Sequence, residues 1–217
     1  MTTRLTVPSK LLLQLRACMP KGPLTYGQAL TVAEQQAIRL RELLGVRTAK
    51  MPFDWVEHVP NLTLQVLPAH EIERLAGRPA SGLTRWNQQL TYLVAVNKNT
   101  SFTHRRYTLA HEIKHVIDCP AVDTAYAQIG YGNDELRSRR IEGICDHFSA
   151  HLLMPNRLVS KAWHLGIQGL SELASQFGVS EDAMQIRLSS LGLVDPDKDK
   201  PTSYFFREAG ASRFTRV

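Results

Sequence analysis

The segment HEIKH at residues 111–115 constrains this chain more than any other part of the sequence. Residues four apart on an α-helix differ by about 40° in azimuth and by one turn in height. His111 and His115 should therefore project their imidazoles to one side, close enough to bind one metal ion. Glu112 lies about 100° around the helix from His111, where its carboxylate can take a proton from a metal-bound water. The pattern predicts a helix that carries a zinc site and its general base.

The downstream segment EGICD at residues 142–146 offers the third protein ligand that a hydrolytic zinc site needs. Asp146 lies one helical turn beyond Glu142 and projects from the same face of the helix. We expect Glu142 to bind the metal. We expect Asp146 to accept a hydrogen bond from the free ring nitrogen of a ligand histidine, which fixes its tautomer and raises its basicity.

Other polar residues leave the ligand set open at this point. His147 and His151 are four apart on the same predicted helix and can compete as ligands. Asp118 can also reach the site, although a solvated surface position is the simpler expectation for it. Cys119 and Cys145 are soft enough to bind zinc, but cysteine is more commonly a small buried side chain.

The composition narrows the class of protein without naming a function. Lys and Arg outnumber Asp and Glu by 26 to 20 in 217 residues, which favours acidic partners or nucleic acid but equally fits a solvated basic surface. The three cysteines form no CxxC motif, so neither a disulfide framework nor a thiolate zinc site is indicated. The sequence has no apolar run of the ~18 to 20 residues that a membrane span needs. We expect a cytoplasmic protein that makes no membrane contact.

The chain divides by its turn signals into four parts. Residues 1–24, which end in the proline- and glycine-bearing segment CMPKGP, are predicted to be an N-terminal arm. Residues 25–155 are predicted to form the metallopeptidase core. Residues 156–194 are expected to add a helical, helix-turn-helix-like part of the same domain. The polar tail at residues 195–217 is predicted to be irregular or to form a late strand.

Hydrophobic periodicity predicts the elements of the core. A helix over residues 31–46 has Thr31 as its expected N-cap and Glu34 as the partner in a capping box. The segment LTLQVL at residues 62–67 alternates like a strand, with Leu62, Leu64 and Val66 expected to face inward. A second strand is predicted at residues 90–97, and the pattern is helical after residue 101.

The predicted strand at residues 90–97 is also a candidate for substrate binding. If it lies at the edge of the sheet, a peptide can add to it as a further strand through backbone hydrogen bonds. The residues of this candidate edge strand are Leu90, Tyr92, Val94 and Val96.

The sequence resembles the ImmA/IrrE-type metallopeptidases of bacteria and their mobile elements. The likeness runs from about Ser81 to Leu193. It lies in SG at 81–82, VAVN at 94–97, RRYTLAHEIKHVID at 105–118, IEGICDHFSAHLLMP at 141–155 and FGVSEDAMQIRLSSLGL at 177–193. The helix that ends in LLMP is the more diagnostic part, because HExxH occurs in many protease folds.

The resemblance implies an α+β fold that is mainly helical, with a small β-sheet, a thermolysin-like zinc-protease core and a C-terminal helix pair. It implies Zn²⁺ bound by His111, His115 and Glu142, with Glu112 as general base. Members of the family typically cleave a helix-turn-helix repressor encoded beside them and so switch on mobile-element or stress genes. This chain departs from the pattern at Asp146, where Asn is common, and at His151, where an acidic residue is common.

A DNA-binding or partner-sequestering regulator with a structural or idle metal site is the alternative function. The segment LASQFGVSEDAMQIRL at residues 173–188 has the Ala-x-x-x-Gly spacing of a helix-turn-helix. Its second helix, however, opens with Glu181 and Asp182 and offers only Arg187 as a cation. Acidic residues at that end would face phosphate, so the sequence favours a helix pair that packs on the protease core over direct nucleic-acid binding.

Overall fold

The computed structural model describes residues 10–195 and a short strand at residues 215–216. Within these residues the chain is mainly helical with a small mixed sheet, which confirms the predicted α+β class. Residues 1–9 of the predicted arm, and residues 196–214 and 217 of the predicted tail, lie outside the described residues.

The elements follow one another as helices with three strands in the first half of the chain and a last short strand near its end. The helices are α1 (Leu11–Arg16), α2 (Tyr26–Leu43), α3 (Ala69–Ala76), α4 (Phe102–Asp118), α5 (Val122–Ala125), α6 (Asp134–Leu153), α7 (Asn156–His164), α8 (Leu170–Phe177) and α9 (Glu181–Ser190), with a 3₁₀ helix at Asp54–His58. The strands are β1 (Leu62–Leu67), β2 (Gly82–Trp86), β3 (Tyr92–Asn97) and β4 (Thr215–Arg216).

Helix α2 begins earlier than the sequence suggested. Thr25 is the N-cap: its side chain accepts a hydrogen bond from the backbone N–H of Gln28, and the Gln28 side chain accepts one from the backbone N–H of Thr25. The predicted capping box at Thr31 and Glu34 is therefore wrong, because a complete box lies almost two turns upstream. The apolar face of the helix is buried at Val32, Ala33, Ala37, Leu40 and Leu44.

The sheet has the strand order β1-β3-β2-β4. Strand β3 pairs in parallel with β1 and antiparallel with β2, and β4 pairs in parallel with β2. Because β3 is hydrogen-bonded along both sides, it offers no free edge to a peptide. The prediction that Leu90, Tyr92, Val94 and Val96 form an edge strand is wrong: Leu90 lies in the preceding turn with a φ of 55°, and the other three are buried in the central strand.

Helix α4 forms the centre of the fold. It packs against β2 and β3 and also against α6, and α6 packs in turn against α2. The face of α6 that carries Phe148, Leu152 and Leu153 is fully buried. The hydrophobic core thus holds α4 and α6 side by side, and the polar residues of both helices can meet along their contact.

The elements at the two ends of the described chain pack onto this core. Leu11 and Leu15 of α1 are buried, and Arg16 donates hydrogen bonds to the carbonyl oxygens of Val116 and Ile117 near the end of α4. Helices α8 and α9 pack on each other. Arg187 of α9 is 7% exposed and donates from Nε to the carbonyl oxygen of Met154, so it points into the fold.

No helix in the described part of the chain is long and apolar enough to cross a membrane.

Candidate metal centre

Two histidines of α4 form one side of the site. Ser101 starts the helix by accepting a hydrogen bond from the backbone N–H of His104. The helix then continues without Gly or Pro, so His111 and His115 lie one turn apart. Their ring centroids are 5.0 Å apart, and both side chains are buried.

Glu142 of α6 lies against both rings. Its Oε2 is 3.1 Å from Nε2 of His111, and its Oε1 is 3.7 Å from Nε2 of His115. Helix α6 reaches this position because Asn133 caps its first turn and because its apolar face packs into the core. The structure therefore brings together the three residues that the sequence offered as ligands.

Asp146 lies on the other side of the His111 ring. Nδ1 of His111 donates a hydrogen bond to Oδ1 of Asp146 over 2.9 Å, so Nε2 faces Glu142. Burial by itself lowers the pKa of His111, but hydrogen bonds with Asp146 and Glu142, and the charges of both, raise it well above its usual range. Burial lowers the pKa of His115 well below its usual range, and the neighbouring His111 and Lys114 lower it further.

The donor set fits a divalent metal ion. Two imidazole nitrogens and one carboxylate are the ligands of many hydrolytic metal sites. Two ligand atoms bound to one tetrahedral ion at about 2.0–2.2 Å lie roughly 3.4 Å apart, between the 3.1 and 3.7 Å observed here. The carboxylates of Glu142 and Asp146 that stabilise positive charge on His111 would also stabilise a cation held between the rings.

Cys145 offers a competing ligand. A ligand atom of Cys145 lies within 4.8 Å of one from each of His111 and His115. Its Sγ is 3.5 Å from Nδ1 of His115, whereas Glu142 faces Nε2 of the same ring. Burial and then the charge of Glu142 raise the pKa of Cys145 well above its usual range, which favours the neutral thiol. The geometry therefore suits a metal at the two Nε2 atoms, with Cys145 placed to accept a hydrogen bond from Nδ1 of His115.

Glu112 of α4 is buried against β2. It is 1% exposed, and the hydroxyl of Thr84 lies 2.7 Å from its Oε2 and 3.1 Å from its backbone oxygen. Gly82 comes equally close: a Cβ at this position would lie 3.2 Å from Oε1 of Glu112 and 2.5 Å from Cγ2 of Thr108. Strand β2 thus packs closely against the carboxylate of Glu112, and the sequence reasoning had missed Thr84.

Comparison with known protein families shows to which family the chain belongs. A model of the IrrE N-terminal-like domain, peptidase M78, matches residues 68–189, which is more than half of the 217 residues. The chain belongs to this family. The resemblance inferred from the motifs is confirmed, and membership of the IrrE N-terminal-like family relates the chain to metallopeptidases.

The fold is shared with a solved structure described as a Mycobacterium tuberculosis transcriptional regulator. The TM-score is 0.55 at 16% sequence identity, so the likeness concerns the fold alone. The alignment covers 87% of this chain and 53% of that regulator, so this chain spans about half the regulator's length. No curated protein sequence matches this member of the IrrE N-terminal-like family.

Other polar residues of α4 have hydrogen-bond partners of their own. Nε2 of His104 is 2.8 Å from the hydroxyl of Ser81, and Tyr107 donates its hydroxyl to the backbone oxygen of Asp146. Asp118 is 2% exposed, so its expected surface position is wrong. Its carboxylate accepts hydrogen bonds from Lys114 and Tyr126 instead.

Replacing Asp146 with Ala should weaken metal binding by roughly 10- to 100-fold, because His111 would lose the acceptor that orients its ring. Competition with a chromophoric chelator measures this affinity. Asp146→Asn keeps an acceptor oxygen without the charge and should give an intermediate value. An affinity for Asp146→Ala within twofold of the wild type would show that Asp146 does not support the site.

Proposed function

We propose that this chain is a zinc-dependent endopeptidase with a thermolysin-like arrangement of site residues. The observation that carries the proposal is the convergence of the buried imidazoles of His111 and His115 with the partly exposed carboxylate of Glu142. A ligand set of two imidazole nitrogens and one carboxylate suits zinc. Membership of a peptidase family supports the same assignment.

In this mechanism His111, His115 and Glu142 hold the zinc, and Asp146 keeps the ring of His111 in position. A bound zinc supplies Lewis acidity, which brings the pKa of a water ligand towards ~7 and polarises a carbonyl oxygen. Glu112 takes the proton of the attacking water on its carboxylate and later returns a proton to the leaving amine.

The contact between Glu112 and Thr84 positions the general base. Oε2 accepts the hydrogen bond from Thr84, which fixes the rotation of the carboxylate. Oε1 lies close to the backbone of Gly82, where any side chain would come too near Thr108 and the backbone oxygen of Ala95. Thr84 is therefore a positioning residue for the general base.

Replacing Thr84 with Val should lower kcat about 10-fold or more at unchanged KM, because a hydrogen bond to a charged group is lost while the side-chain shape is kept. Thr84→Ser retains the hydroxyl and should restore most of the rate. Steady-state kinetics on one peptide substrate give both constants. An equal loss in the Val and Ser variants would mean that packing, not the hydroxyl, is what matters.

The substrate we propose is a helix-turn-helix repressor, as the resemblance to repressor-cleaving peptidases implies. The fold shared with a transcriptional regulator is in keeping with a role in regulation. The test is to incubate the zinc-loaded protein with the repressor encoded beside its gene, with and without a chelator. A discrete cut that the chelator prevents supports the proposal. Stable binding without cleavage would favour the alternative of a partner-sequestering regulator.

A further inference from the structure

A second pair of histidines lies on α6, on the side that faces α2. His147 and His151 are one turn apart, and their ring centroids are 4.1 Å apart. Glu34 of α2 completes the group: its Oε1 is 3.6 Å from Nε2 of His151. Ligand atoms from all three residues lie within 4.8 Å of one another. Two histidines four apart on one helix and a glutamate from another helix repeat the donor set of the first site.

The tautomer of His151 follows from its hydrogen bond. Nδ1 lies 2.8 Å from the carbonyl oxygen of His147. A carbonyl oxygen can only accept, so Nδ1 carries the proton. In the neutral ring Nε2 then has a lone pair, and this lone pair faces the carboxylate oxygen of Glu34. Two acceptors that face each other repel, and a cation between them would turn the repulsion into attraction.

We propose that Glu34, His147 and His151 form a second metal site, which binds a divalent first-row transition metal ion. The separation of 3.6 Å between the Glu34 and His151 atoms is close to the roughly 3.4 Å expected for two ligands of one tetrahedral ion. The bond from Nδ1 of His151 to a backbone carbonyl is the support that metal-binding histidines usually have. The separation of the ligand atoms and the hydrogen bond from Nδ1 are both present without rearrangement of the helices.

The site is open to ions from solvent. Glu34 and His151 line a cleft of about 780 Å³ between α2, the end of α6 and α7. The Glu34 side chain is 32% exposed, so an ion bound there keeps a position for water or for an anion. Other charged residues that line the cleft are Arg41, Glu42, Arg47, Arg157 and Lys161.

Nearby charges set the expected strength of binding. Burial is the main cause that lowers the pKa of His147 and that of His151 to about 4; the charge of His151 contributes at His147, and that of Arg187 contributes at both. Both rings are thus neutral at neutral pH and can donate lone pairs. The charges of Arg187 and Lys114 oppose a dication, whereas Glu34 favours it. We expect weaker binding than at the His111 site, with affinity rising from Mn²⁺ through Ni²⁺ to Cu²⁺.

Calorimetric titration of the metal-free protein with Ni²⁺ tests the proposal. The wild type should bind two equivalents with separate affinities. Glu34→Gln and His147→Asn should each weaken the second equivalent at least ~10-fold and leave the first unchanged. Glu42→Gln, which alters the charge of the same cleft outside the trio, should retain both equivalents.

Two results would overturn the second site. One is a single equivalent in the wild type that disappears in Glu142→Ala. The other is a second equivalent that survives both Glu34→Gln and His147→Asn. Unchanged binding of the first equivalent of Ni²⁺ also shows that each variant is folded. A single equivalent that survives Glu142→Ala but is lost in Glu34→Gln would support the second site and contradict the metal set of the proposed peptidase.

Discussion

Replacing Glu112 with Gln should abolish peptide hydrolysis while the protein keeps its metal. Gln preserves the size of the side chain, and its amide oxygen can still accept the hydrogen bond from Thr84. It cannot take the proton of the attacking water at neutral pH, so kcat should fall by roughly 10²- to 10⁴-fold. Rates on one peptide and the metal content of the same samples measure the two effects separately.

The matched comparison for this variant is Glu142→Gln, which should lose activity together with metal. If Glu112→Gln keeps its full metal content and its substrate binding, the loss of rate can be assigned to the missing proton transfer. A rate within about tenfold of the wild type would remove Glu112 from the role of general base, because general-base catalysis contributes more than this.

Replacing Lys114 with Met should destabilise the fold by about 3–5 kcal/mol, because it removes one partner of a buried ion pair. Lys114 is fully buried, and its Nζ donates hydrogen bonds to Asp118 and to Gln36 of α2. Asp118 also accepts a hydrogen bond from Tyr126. Without the lysine, the Asp118 charge stays buried with too few compensating groups. Urea denaturation measures the change in the free energy of unfolding.

A double variant tests the cause of this loss. Lys114→Met combined with Asp118→Asn removes both charges and should recover part of the stability, since no unpaired charge remains. If the double variant is as unstable as the sum of the single variants, the two residues do not interact. If Lys114→Met lowers the free energy of unfolding by less than about 1 kcal/mol, the pair contributes no more to stability than an exposed salt bridge does.

The part of the site that could be predicted depends on helix periodicity. His111 and His115 share a face because they are four apart, and the same holds for Glu142 and Asp146. The two pairs meet because apolar residues on both helices pack α4 against α6. The order of the two motifs along the chain and the chemistry of their residues were enough to predict that the two pairs lie close together.

The part that could not be predicted depends on the strands. Leu83, Thr84 and Trp86 of β2 are all buried, so the strand lacks the alternation that marks a half-buried strand in a sequence. With β2 unrecognised, β3 was assigned to an edge and the contact between Thr84 and Glu112 went unseen. In β1, Val66 was expected inside but is 55% exposed, because β1 lies at the outside of the strand order.

Buried polar residues were equally hidden in the sequence. Lys114 lies between the two histidines of the motif and has the character of a surface residue, yet it is 0% exposed. Of its partners, Asp118 lies one turn further along α4, whereas Gln36 lies in α2 and Tyr126 follows α5. The spacing within α4 is compatible with the pair of Lys114 and Asp118, but the contacts with Gln36 and Tyr126 exist only once other elements have packed against α4.

X-ray diffraction at the zinc absorption edge, from crystals of the zinc-loaded protein, tests the central claim most directly. The account predicts an anomalous peak about 2.0–2.2 Å from Nε2 of His111, Nε2 of His115 and a carboxylate oxygen of Glu142, with Asp146 still bonded to Nδ1 of His111. A peak bonded to Sγ of Cys145 with Glu142 turned away, or no peak between α4 and α6, would contradict it.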